Sequence, residues 1–226
     1  MNYYLLVFFL LCVIVFAPLR RMLLFNKKES LINMPNIVLI GDSMLNNSNY
    51  IDKTREDKDM SIPGLIKSSD AINLYNYAKD SATIDDCYTQ INSINQIPKN
   101  TTIFISAGGN NIVNESNRSG INNDAVSTLF NKYSKMVLTI KRHFNGTPIY
   151  LLTLYKPTDP AYSKLYKYID QWNVKLSDFA KKNGLKVLQT NILLTKDEDF
   201  VYGIEPSEIG GKKIADEILS VAVVNE

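Results

Sequence analysis

The chain has 226 residues, 45% of them hydrophobic and 21% charged, with a formal net charge of +2. That composition belongs to a folded chain rather than a disordered one, and the length suits one domain with its own core plus a short appendage. The near-balanced charge, with no basic stripe carrying interleaved aromatics, argues against nucleic acid as a partner.

Residues 3–19 (YYLLVFFLLCVIVFAPL) carry no charge, and Arg20, Arg21, Lys27 and Lys28 follow them. Such a run is at the short end of what crosses a bilayer core as a helix. No lysine or arginine precedes it, so it reads as an anchor in preference to a cleaved signal peptide. The expected organisation is a transmembrane anchor over 1–25, a basic linker over 26–35 and one domain over 36–226. The positive-inside rule would hold the domain in the cytosol. Five N-x-S/T sequons, beginning at Asn46, Asn100, Asn114, Asn117 and Asn145, would matter if it faced a lumen or the exterior. Both topologies stay open.

Beyond the linker, 36–40 (NIVLI) is a continuous apolar run of the kind found in strands buried on both faces of a parallel sheet. A short helix is expected over 63–69 and a second strand over 71–77. Ile84, Cys87, Ile91 and Ile94 recur at helical spacing across 83–94. A third buried strand covers 101–106 (TTIFIS) and runs into Gly108-Gly109. Next come a long amphipathic helix over 124–144, a strand over 147–154 and a helix over 160–182. Asn183-Gly184 marks the end of that helix. A fifth strand covers 185–189, and Ser207 opens a last helix. Alternating strands and helices predict a three-layer α/β/α, flavodoxin-like fold with a five-stranded parallel sheet. Sites in such sheets lie beyond the carboxyl ends of the strands. Loops 41–43, 79–83 and 108–111 follow the first three strands and should share one edge, with 202–207 free to fold over it. Residues 45–61 and 113–123 read as variable loops.

The two cysteines, Cys12 and Cys87, lie in unrelated contexts, so no intradomain disulfide is expected. His143 is the only histidine, and with no clustered Cys/His set a zinc site is not expected; no cofactor is called for. His143 sits near the end of the long helix, where it suits that helix terminus better than chemistry.

Gly41-Asp42-Ser43 follows the first strand directly. Glycine allows a tight strand-to-helix turn that presents the next side chain at the sheet edge. A serine so placed can act as a nucleophile and offer its own N–H to an oxyanion. A turn with an N-capping serine is the plain alternative for three residues alone. Three further blocks accompany it: N-Y-A-K-D-S-A-T at 76–83, S-A-G-G-N-N at 106–111 and G-I-E-P-S-E-I-G-G-K-K-I-A at 203–215. Together the four blocks resemble the SGNH (GDSL-type) hydrolase family along essentially all of 36–218. The resemblance implies an ester hydrolase acting on an acyl or acetyl group of a lipid, glycan or other small ester. It places the nucleophile at Ser43 and oxyanion donors at the Ser43 N–H, the Ser81 N–H and the Asn110 side chain, with Asp42, Gly109, Asn111 and Tyr202 as supporting residues.

Two positions depart from the family pattern. Ser81 stands where the family has glycine, which is harmless only if the loop does not need a positive φ. The family's D-x-x-H reads Tyr202 and Glu205 here. Glu205 is then the candidate base, and a carboxylate is a weaker proton acceptor than imidazole unless burial raises its pKa. The alternative is a binding module that keeps the fold and has lost the relay.

Overall fold

The computed structural model describes residues 34–51, 58–70 and 72–223. The expected anchor and most of the basic linker lie outside these residues. Among the described residues no helix is long and apolar enough to cross a membrane.

Five strands form one parallel sheet in the order β2-β1-β3-β4-β5, with β1 at Asn36–Ile40, β2 at Asn73–Asn76, β3 at Thr101–Ile105, β4 at Ile149–Leu152 and β5 at Lys186–Leu188. This is the flavodoxin-like order, with its switch point between β1 and β3. Every residue of β1, β3 and β4 is buried, the polar Asn36, Thr101 and Thr102 at the strand starts included. The edge strand β2 (NLYN) is polar and largely exposed, and pairs only with β1.

Helices flank the sheet in two groups. On one side α1 (Ile62–Lys67) packs against α7 (Glu208–Val223); on the other α4 (Asn123–His143) packs on both α2 (Ile84–Asn92) and α5 (Tyr166–Asn183). Right-handed crossovers from a parallel sheet place the groups on opposite faces. Local signals set the helix ends. Thr83 and Asp86 form a capping box on α2, and Gly184, at φ +62°, closes α5.

Several elements differ from the sequence expectation. Residues Gly109–Arg118 form a helix, α3, where a loop was expected after Gly109. Gly-Asn-Asn is a poor helical start, but Ile112 is buried in the core, and tertiary burial outweighs weak local propensity. Residues Pro160–Leu165 are a 3-10 turn capped by Asp159, and the α-helix begins only at Tyr166. A short helix α6 (Thr190–Leu193) is followed by a small antiparallel hairpin, β6 (Phe200–Val201) with β7 (Glu205–Pro206). Glu205 thus sits on a strand rather than in an open loop.

Candidate active site

The turn after β1 is built around Gly41. Its φ is +142°, and a Cβ there would lie 1.9 Å from the Ser106 carbonyl oxygen. Only glycine allows this approach of the β1 and β3 ends. Gln90 on α2 satisfies Gly41's backbone as the chain leaves the sheet: the Gly41 N–H donates to Gln90 Oε1 at 2.7 Å, and the Gly41 carbonyl accepts from Gln90 Nε2 at 2.9 Å and from the Lys79 N–H at 3.0 Å. Asp42 is buried. Its carboxylate accepts from Ser106 Oγ at 2.8 Å and from the Met44 N–H at 3.2 Å, while its own N–H donates to Ser106 Oγ at 3.1 Å. Burial pushes the Asp42 carboxyl up, and the bonds from Ser106 and Met44 pull it back. Ser43, only 7% exposed, is therefore held by a cross-strand network.

Beyond the adjoining strand β3, Gly108 caps the start of α3 at a φ of +112°. A Cβ there would lie 2.2 Å from the Trp172 ring. This turn puts Asn110 in the first helical turn, where its Nδ2 donates to the Ala82 carbonyl at 3.0 Å. A primary amide has two N–H groups, so one remains to face the cleft that Asn110 lines with Ser43 and Gly109. The neighbouring Asn111 faces elsewhere: its Oδ1 accepts from the Ile84 N–H at 3.0 Å and secures the start of α2.

Ser81 takes φ +59°, so the loop does require the left-handed conformation and a non-glycine residue bears it. Its hydroxyl donates to Asp80 at 3.2 Å. Ser81 does not line the cleft; it lies between Ala82, which accepts from Asn110, and Asp80, whose carboxylate also accepts from Tyr50 Oη at 2.9 Å.

Glu205 completes the cleft from the far side. Burial pushes its carboxyl up from the ordinary value, a hydrogen bond with the Ser43 side chain pulls it down, and the charges of Asp80 and Asp42 push it up again. Its Oε2 is buried without a hydrogen-bond partner among the described residues. The backbone around it is pinned on both sides. Tyr155 Oη donates to the Ile204 carbonyl at 2.7 Å, and Asn47 Nδ2 donates to the Pro206 carbonyl at 2.9 Å. Tyr202, three residues earlier, is 79% exposed at the hairpin tip with φ +54° and is not among the residues lining the cleft. Among the described residues no group of His, Cys, Asp and Glu side chains could hold a metal ion.

The structure thus brings Ser43, Asn110, Gly109, Asp42 and Glu205 to one cleft, at the switch point of the sheet. Solved structures with this architecture are numerous. A member of the lipolytic G-D-S-L family from Veillonella parvula aligns with a TM-score of 0.65 at 16% identity, covering 82% of this chain and 97% of that one. The chain has an SGNH hydrolase-type fold. An acetyl xylan esterase from Geobacillus stearothermophilus aligns at 0.62 and 15% identity, covering 83% of this chain and 94% of that one. An α/β hydrolase from the metagenome of Lake Arreo aligns at 0.61 and 14%, covering 85% and 96%. No protein-family model matches the sequence, and comparison with curated proteins gives no match. The SGNH-type frame explains why blocks 65 residues apart meet: Gly41 and Ser106 end adjacent strands, paired Ile40 to Ile105.

Sequence reading missed four residues that hold this site: Gln90, Ser106 as a partner of Asp42, Asn47 and Tyr155. Gln90 carried a usable signal, a polar residue on the inward face of an apolar helix beside Cys87 and Ile91. Asn47 and Tyr155 carried none, because their partners are backbone carbonyls more than 45 residues away.

Proposed function

We propose that the protein is an SGNH-type serine ester hydrolase. What carries the reading is that Ser43 and Glu205 line one largely apolar cleft, close enough for the Ser43 side chain to pull the Glu205 carboxyl down against the rise that burial brings. In this mechanism Ser43 Oγ attacks the ester carbonyl carbon and its proton passes to Glu205. The Ser43 N–H and Asn110 Nδ2 receive the oxyanion. The C–O bond to the alcohol breaks, and the proton on Glu205 leaves with the alcohol. Water then attacks the acyl-serine, gives a proton to Glu205 and releases the carboxylic acid with Ser43 restored. Burial makes Glu205 a better proton acceptor than an exposed glutamate, which partly offsets the absence of imidazole.

A fluorophosphonate probe tests this. The full chain should be labelled, Ser43→Ala should not be, and Glu205→Gln should be labelled about 10²–10⁴-fold more slowly, the usual worth of a general base. Labelling of the Ser43→Ala variant, or none of the parent chain from pH 5 to 9, overturns the reading.

One observation favours a binding module instead. Glu205 Oε2 has no hydrogen-bond partner among the described residues, and Tyr202, at the position of the family's aspartate, points to solvent; among those residues the base therefore lacks a side-chain orienter. The double change Tyr202→Asp with Glu205→His separates the two. A large gain in esterase activity indicates a chain that has lost its relay, whereas loss of a measurable parent activity excludes that idea.

We also propose that the uncharged run at 3–19 tethers the domain to a membrane, as its length and the basic flank at Arg20 and Arg21 support. Deletion of 1–25 should move the protein from the membrane fraction to the soluble one; unchanged partitioning rejects the tether.

A further inference from the structure

The cleft that Ser43 lines holds about 60 Å3, and its apolar walls include Met44, Ile112, Val113, Leu154, Leu165 and Ile169. A cavity of about 150 Å3 is what benzene occupies in a protein interior. By that scale the space here admits roughly two to three carbon atoms.

The walls are not free to retreat. Ile112, Leu154, Leu165 and Ile169 are all core residues, none more than 5% exposed. Leu154 is further fixed by Asn173, which accepts from its N–H at 2.8 Å and donates to its carbonyl at 2.7 Å. Interiors packed to this density do not open for a longer chain without displacing neighbours. Asn110 and Val113 lie three residues apart on α3, hence on one helix face. A carbonyl oxygen at Asn110 therefore brings the acyl group beside Val113.

Charge adds a second restriction. Asp42 and Glu205 are the only charged residues lining the cleft among the described residues, and both are acidic. A negatively charged acyl group entering this apolar space would meet their field unpaired, at considerable desolvation cost. The same field favours departure of the carboxylate product.

We infer that the site takes esters of short, uncharged acyl groups, acetyl to butyryl, and excludes long fatty acyl chains and dicarboxylic half-esters. Val113 sets the length limit. This rests on the hydrolase reading above and narrows its substrate class; the alcohol half of the ester is unconstrained by it.

The test is a ladder of p-nitrophenyl esters (acetate, butyrate, octanoate and hemisuccinate) given to the purified full chain, to Val113→Ala and to Ser43→Ala. Expected is a kcat/KM for octanoate and for hemisuccinate at least about tenfold below acetate, the discrimination one surplus methylene brings in a filled pocket. Val113→Ala should narrow the octanoate-to-acetate gap without helping hemisuccinate, and this ratio is independent of how much enzyme is folded. Ser43-dependent turnover that favours octanoate, or accepts hemisuccinate as well as acetate, overturns the short-acyl inference and leaves the hydrolase reading standing. No Ser43-dependent turnover of any ester overturns both.

Discussion

Gly108 is where fold and site depend most visibly on one atom, and replacing it with alanine should be among the most damaging small changes in the chain. Two costs add. The backbone at φ +112° is a conformation that residues with a Cβ avoid, worth about 1–3 kcal/mol. The new Cβ would also meet the Trp172 ring at 2.2 Å. Trp172 is fully buried and wedged against Phe130 and Tyr133 at centroid distances of 5.1 and 5.2 Å, so it cannot step back; overpacking of this kind costs about 1–3 kcal/mol. The sum, about 2–6 kcal/mol, is a large share of a typical total of about 5–15 kcal/mol. It should lower the melting temperature by on the order of 10 °C. Trp172 is the only tryptophan, so urea unfolding is best followed by circular dichroism. A double-mutant cycle separates the two costs. Because Trp172 Nε1 has no hydrogen-bond partner among the described residues, Trp172→Leu strands no polar group. In that background Gly108→Ala should cost less by the steric share, about 1–3 kcal/mol, and keep the backbone share. An equal penalty in both backgrounds refutes the steric account, and a neutral Gly108→Ala refutes both parts.

Ser81→Gly relieves a left-handed residue at φ +59° and gives up an exposed hydroxyl contact to Asp80, so it should leave stability unchanged or raise it by up to about 1 kcal/mol. It should also preserve turnover, since Ser81 does not line the cleft; urea midpoints and kcat compared with Ser81→Ala check this, and a tenfold fall in kcat for the glycine variant contradicts it. Glu205 must be ionised to act as base, and its pKa is raised, so activity should fall as pH drops through a value above the ordinary glutamate range. The same raised pKa makes Glu205 favour folding most at low pH, a contribution lost as pH climbs from the unfolded to the folded value. Asp80→Asn removes one of the charges that raise it and should shift the acid limb of the kcat/KM profile to lower pH. An unmoved or upward-shifted limb would rule out Glu205 as the titrating group.

What could be read from the sequence follows the physics of each element. The strands 36–40 and 101–106 announced themselves because burial on both faces leaves their middles, Ile37–Ile40 and Ile103–Ile105, wholly apolar, and their observed spans agree to within a residue. The site's backbone, Gly41 to Ser43 and Gly108 to Asn110, was legible because glycines mark turns that other residues cannot make. Helix α3 was hidden, since Gly-Asn-Asn advertises a turn and only the burial of Ile112 makes it helical. The hairpin carrying Glu205 was hidden for a related reason: two-residue strands have no periodicity to detect. The exposure of Tyr202 was equally invisible, because facing in or out depends on a left-handed residue at the hairpin tip.

That hairpin bears on how a serine site could work without histidine. In a Ser-His-Asp arrangement the third residue holds the base in one orientation. Among the described residues Glu205 has no such side-chain partner, and its Oε2 accepts no hydrogen bond from them. Yet a carboxylate needs less orienting than an imidazole, since its two oxygens are equivalent and neither must carry a particular proton. What it does need is a fixed origin, and the backbone supplies one. The carbonyl before Glu205 is held by Tyr155 and the carbonyl after it by Asn47. Asn47 lies four residues beyond Ser43 and its Oδ1 also accepts from the Ile62 N–H at 2.8 Å. The nucleophile turn, the start of α1 and the Glu205 strand are therefore tied through one buried amide. Under the proposed assignment, base and nucleophile keep their separation through the backbone instead of through a third side chain.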